Sequence, residues 1–370
     1  MAAGVGSSEV RLISPQREAQ LFGRLRRRTF QAHVRGWIEE SLLRLAVISV
    51  LCLVFWIALF ASFAEGFQLL ETAIAHVPTR ATTVQHVFNV FFLTLLAMLT
   101  VSSAVIFYGV VFRGEETRVL LTLPATAQRI VLYKLQETTL FSCWGFLLIG
   151  SPMLIAYGIV AAAPWYYYVM LPPFVVAFVT IPTSVGALLC LGGAYLMPSL
   201  RVHAMTILCV CGLLALLAFG WLLLAAQSED MLTAEWLSRM NHRLRFAEQR
   251  LLPSWWLSAG LLEAAHAHSG PLKYAWSSSV LLLGVLISNA LLFSLLAAKV
   301  GGRLLRPAYG RISSVVAARR KGGTSRLDRI VEWGLFPFTA PMRRLLIKDF
   351  RTFRRDPVQW SQFLIFFGLL

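Results

Sequence analysis

The sequence predicts an all-α polytopic membrane protein with six transmembrane helices plus the start of a seventh. Three observations carry that prediction. Hydrophobic residues make up 57% of the 370 residues and charged residues only 14%, with a mean hydropathy of +0.67. A soluble domain is about a quarter charged. Six apolar runs, near 42–64, 86–112, 138–160, 166–197, 203–226 and 275–299, are long enough to cross a hydrocarbon core as helices. The 34 Lys and Arg are also unevenly placed. With a cytoplasmic N-terminus, 28 lie on inner segments and six outside, at Arg80, Arg239, Arg243, Arg245, Arg250 and Lys273, the bias that orients membrane chains.

Taken in order, residues 1–40 form a basic cytoplasmic segment, in which Leu21-Phe22-Gly23-Arg24-Leu25-Arg26-Arg27-Arg28 is amphipathic. It is not a signal peptide, because the first long apolar run begins near Leu42 and outlasts an h-region of about 7–15 residues. A transmembrane domain follows over 41–299. Its first span leads into an outer loop at 65–83, and the second returns to the inner side. There the elbow 113–126 reads Arg113-Gly114-Glu115-Glu116-Thr117-Arg118-Val119-Leu120-Leu121-Thr122-Leu123-Pro124-Ala125-Thr126. This is an acidic start, a two-turn amphipathic helix, a Leu-Pro stop and a Thr cap. Any inner loop carries charge, but one that merely connects has no need of a rigid knob. The next helix opens with Arg129 and Lys134 and enters the bilayer as the third span.

The fourth run contains Pro172, Pro173 and Pro182, with Pro198 just beyond it, which predicts tilt, a kink or a break. Between the fifth and sixth spans, residues 228–270 predict two short external helices. Ser228-Glu229-Asp230 opens the first, with Leu237, Met240, Leu244, Ala247 and Leu251 at helical spacing, and Pro253 ends it. Trp255, Trp256, Leu257, Leu261 and Leu262 form the second apolar face. It is expected to lie on or dip into the outer leaflet, its tryptophans at the lipid–water boundary. After the sixth span, 300–358 is a basic cytoplasmic linker in which Met342 to Arg351 reads as an interface helix. Gly301-Gly302 and Gly322-Gly323 read as flexible turns. Residues 359–370 read as about half a span, expected to be the truncated start of a second transmembrane half. A basic helix that twice precedes a span suggests duplication.

Little in the chain could perform covalent chemistry. The net charge is +16, but its distribution follows membrane topology, so nucleic acid is not the implied partner. No Gly-x-x-x-x-Gly-Lys-Ser/Thr stretch provides a P-loop. The five cysteines (Cys52, Cys143, Cys190, Cys209, Cys211) fall inside apolar runs without a CxxC pair, which implies neither a disulfide framework nor a zinc site. Glu263, His266 and His268 could ligate metal only with partners from other helices, and none stands out. The spans lack Asp, Glu or His relays of the kind a proton- or sodium-driven carrier uses. Asn89 and Asn289 are expected to hydrogen-bond between helices. No catalytic residue and no metal ligand is assigned, and the substrate-binding residues are unknown.

The elbow and the sequence after it, Arg129-Ile130-Val131-Leu132-Tyr133-Lys134, resemble the loop between the second and third spans of type-2 ABC exporter permeases. Leu252-Pro253-Ser254-Trp255-Trp256-Leu257 and Gly301-Gly302-Arg303-Leu304-Leu305-Arg306-Pro307-Ala308-Tyr309 are similar to segments of larger bacterial ABC exporter permeases with a second half. One departure is Ala127-Gln128 in place of one of the usual basic pair. The resemblance covers most of the chain in architecture and about 25 residues in motif.

The resemblance implies a membrane subunit in the cell's inner membrane, one type-2 exporter-like half with amphipathic interface helices. The small helix would be the coupling helix, docking in a cleft of a separate ABC ATPase dimer. Val119, Leu120 and Leu123 would supply its apolar face, with Glu115, Glu116 and Arg118 at the rim and Pro124 setting its angle. This chain would bind no cofactor, ATP and Mg residing on the ATPase. The second transmembrane half would come from the same longer chain or from a second copy. The rival readings are a secondary carrier or channel, which would need an ionisable relay or polar pore, and a membrane-embedded lipid-modifying enzyme, which would need an acidic or histidine cluster.

Overall fold

The computed structural model describes residues 20–21, 23–24, 42–73, 77–196, 249–265, 272–319, 342 and 348. Among them are seven α-helices and a π-turn, and no strand. The helices are α1 (Leu42–Ala73), α2 (Val77–Tyr108), α3 (Glu115–Thr122), α4 (Ala127–Val160), α5 (Trp165–Leu196), α6 (Pro253–Ala265) and α7 (Leu272–Arg319), with the π-turn at Gly109–Arg113. Five of them, α1, α2, α4, α5 and α7, are long and apolar enough to cross a membrane. The chain is a multi-pass membrane protein. The fifth run at 203–226, the first external helix from Ser228, His266 and His268, and the start of a seventh span at 359–370 lie outside the described residues. So do most of the two basic helices.

The long helices outrun the apolar stretches that announce them. α1 continues to Ala73 and α2 begins at Val77, so the segment expected as an outer loop at 65–83 is largely helical. Apolarity marks the part of a helix inside the hydrocarbon, whereas backbone hydrogen bonding continues into the interface. Of the tilt, kink or break expected in α5, the break is corrected, since the helix is continuous through Pro172, Pro173 and Pro182. Hydroxyls line its path. Thr180, Thr183 and Ser184 donate to the carbonyls of Val176, Val179 and Thr180, each at 2.7 Å. The Ser103 hydroxyl reaches across from α2 to the Pro182 carbonyl at 3.1 Å.

α4 and α5 form a hairpin through residues 161–164. Ala162 takes the left-handed conformation, φ 47°, and Ala163 N–H donates to Gly158 O at 2.8 Å, a helix C-terminal arrangement usually given to glycine. The hairpin, α2 and α7 enclose an aromatic core at the end of the bundle away from the elbow. There Phe92 sits among the rings of Phe88, Phe146 and Phe178, with centroids 5.8 to 6.2 Å apart. Gly186 lets α5 press onto α2, since a Cβ there would stand 2.7 Å from the Thr100 carbonyl oxygen and 2.8 Å from Ala104 N. α1 is exposed along most of its length and meets the bundle at α4, where Trp56 Nε1 donates to Ser151 Oγ at 2.8 Å.

α6 starts at Pro253, the residue expected to end the helix before it, a position that spares the missing N–H. Its placement differs from a surface helix. Ser254, Leu257, Ser258, Leu261 and Leu262 are buried, and it packs among α2, α5 and α7. The Ser258 hydroxyl donates to Asn89 Oδ1, and Ser279 of α7 donates to the Gly260 carbonyl at 2.8 Å. The apolar residues of α6 therefore face protein. Trp255 and Trp256 are half-buried, with Trp256 Nε1 donating to Arg250 O at 2.7 Å. Asn89 bridges two helices as expected. Among the described residues Asn289 does not, and its amide donates to Val285 O one turn back at 2.9 Å.

Candidate functional site

The elbow is built by a change of helical winding followed by a stop. α2 ends in the π-turn Gly109–Arg113, and Gly114 is extended, φ −67°, ψ 124°. A Cβ at Gly114 would stand 2.7 Å from the Val110 carbonyl oxygen, so this turn requires glycine. The Val110 carbonyl accepts from the buried Thr117 hydroxyl at 3.2 Å, which satisfies a group that the π-turn would leave open. α3 runs for eight residues, and Leu123 is extended, φ −79°, ψ 155°, as expected for a residue before proline. Thr126 stands at the N-cap of α4, but its side chain makes no capping hydrogen bond. Its carbonyl accepts from Arg129 N at 3.0 Å and Ile130 N at 3.2 Å.

The expected apolar face divides in two. Val119 is 58% exposed and Leu123 49% exposed, whereas Leu120 is 5% exposed and belongs to a core with Phe107, Val111, Tyr133, Leu191 and Leu305. Leu120 is thus an internal anchor, and the outward surface of the elbow includes Arg118, Val119, Thr122, Leu123 and Pro124. The Glu115 side chain lies outside the described residues.

Glu116 does not sit on a free rim. Its Oε2 accepts from Lys134 Nζ of α4 at 2.5 Å, and its Oε1 accepts from the Tyr133 hydroxyl at 3.1 Å. Lys134 is 2% exposed and also bonds Glu137 Oε2 at 2.9 Å, one turn along the same helix. A buried ammonium needs such partners, because desolvation of a lone charge is costly.

The elbow end of α7 closes the site. α7 is one helix through Gly301 and Gly302, so these two are not a flexible turn. They are points of close approach. A Cβ on Gly302 would stand 3.0 Å from the Cα and N of Gln128 in the first turn of α4, and one on Gly301 would stand 2.9 Å from Leu191 and Val131 side chains. Further along α7, Tyr309 stacks on Phe112 of the π-turn with centroids 6.2 Å apart. Arg311 Nη1 donates to the Tyr195 carbonyl at 2.6 Å, a cation at the C-terminal end of α5, where the helix dipole favours one.

Sequence reasoning missed the Glu116–Lys134 bridge and the role of the glycine pair. The signals were there: a lysine flanked by apolar residues with an acid three positions on, and adjacent glycines in an apolar helix. A family model described as "Putative ATP-binding cassette" matches residues 37–370. The chain belongs to this family. The match runs from just before α1 to the last residue, so every described helix of this ATP-binding cassette protein falls within it. No curated protein and no solved structure matches the chain.

Proposed function

We propose that this chain is the membrane-spanning permease subunit of an ABC exporter, moving a substrate out across the cell membrane at the expense of ATP hydrolysed by a separate ATPase subunit. The elbow carries the reading. It presents Val119, Leu123, Pro124 and Arg118 outward while Leu120 and Glu116 hold it against the bundle. Such a knob suits a cleft in a partner, since a few apolar anchors dominate an interface and rim charges contribute little. The five long apolar helices and the family membership support the same assignment.

In this reading the chain performs no covalent chemistry and binds no nucleotide. ATP and Mg are held by the ATPase dimer, whose closure pushes the elbow and rocks the spans between inward- and outward-open states. The two states exchange because ATP binds them with different affinity. The N-terminus and elbow face the cytoplasm, and a second transmembrane half completes the transporter. Purification of the intact protein from its own membrane tests the assignment. Mg-dependent ATPase activity should co-purify in proportion to the permease, and activity no greater than in a mock purification would refute it.

A further inference from the structure

We propose that Lys134 is a positioning residue that locks the elbow to α4, so that a displacement of the elbow enters α4 and α7 together. The inference rests on the elbow being the docking element, and it specifies which helices receive the push. Three observations carry it. The 2.5 Å bridge from Lys134 to Glu116 and the 3.1 Å bond from Tyr133 to the same carboxylate fix α3 to α4 at two points. An apolar contact such as that of Leu120 resists separation, but only directional bonds also resist sliding and rotation. Gly302 sits against the backbone of Gln128 in the first turn of α4, close enough that even a Cβ would be tight. A movement of that turn therefore cannot leave α7 in place.

The two carboxylates have separable duties. Glu137 is on the same helix as Lys134 and keeps the ammonium satisfied, while only Glu116 crosses to the elbow. Glu116→Gln therefore reduces the charge-assisted link to a neutral hydrogen bond at one oxygen and leaves the buried lysine with a charged partner, so the fold survives. Glu137→Gln weakens a bond within α4 and leaves the link.

Hydrogen exchange on the full-length protein, purified with its ATPase, tests the proposal. In E116Q, exchange over 115–122 should rise about tenfold, as expected when a charge-assisted hydrogen bond that opposes local opening is reduced to a neutral one. E137Q and K134R should stay within about threefold of the native rate, a smaller change than loss of such a bond produces. ATP should alter exchange in both 115–122 and 300–306 of the native protein, but only in 115–122 of E116Q. Equal rates in E116Q and E137Q, or an undiminished ATP response at 300–306 in E116Q, would overturn the lock. An unresponsive 115–122 in the native protein would instead count against the docking reading, with the basal rates still deciding the lock.

Discussion

Leu120 and Val119 are adjacent in sequence, and their helical positions give them different environments. Leu120 fills a core shared with Phe107, Tyr133 and Leu305, and Val119 is 58% exposed. Leu120→Ala should therefore lower the stability of the purified protein by about 2–5 kcal/mol, the usual cost of such a core truncation. Val119→Ala should stay within about 0.5 kcal/mol. Thermal melting in one detergent checks both, and equal melting temperatures would place Leu120 outside the core. The distinction was hard to read from sequence. Both residues fall on the apolar arc of a two-turn helix, and the arc does not say which part meets the protein's own α4. Glu116 was obscured for a related reason, because its partner lies 18 residues away on the next helix.

Among the helices, small residues decide how closely the elements approach. Gly186 sets the α2–α5 crossing, where an added side chain would meet Ser103, the Thr100 carbonyl and the Ala104 backbone. Gly186→Val should cost about 1–3 kcal/mol by overpacking, whereas Gly192→Val, where no atom of the described residues lies within 4 Å of an added Cβ, should cost nothing, because valine has the better helix propensity. Melting the two variants side by side tests this, and equal losses would refute the close crossing. Apolar length announced α1, α2, α4, α5 and α7, because the thickness of the bilayer imposes it. Their ends were not announced. Val77 to Gln85 continues α2 in polar sequence, and Gly301-Gly302, which in water would mark a turn, here admits α4 against α7. Pro253 was legible as a boundary, but the burial of α6 depends on the surfaces of three distant helices.

At the scale of the whole molecule, α7 ties the bundle together. Its 48 residues extend about 72 Å at the usual rise per residue, more than twice the hydrocarbon thickness. It reaches Gly260 at one end and Tyr195 at the other. The fold class and the elbow were legible because both are local patterns. The lock at Lys134 and the seat of α6 were not, because each is made by residues far apart in the chain. The charge bias also predicts sidedness, with the elbow inside and 228–270 outside. Single cysteines at Thr122 and Arg243 in a cysteine-free protein should differ, only Arg243 being labelled from outside intact cells, and labelling of both would reverse the topology. The most direct test of the account is photo-crosslinking in living cells, with a benzophenone amino acid placed at Val119 or, as a lipid-facing control, at Trp144. Position 119 should give an adduct with an ABC ATPase, and position 144 none. An ATPase adduct from both positions or from neither would contradict the claim that the elbow is where ATP hydrolysis acts on this membrane protein.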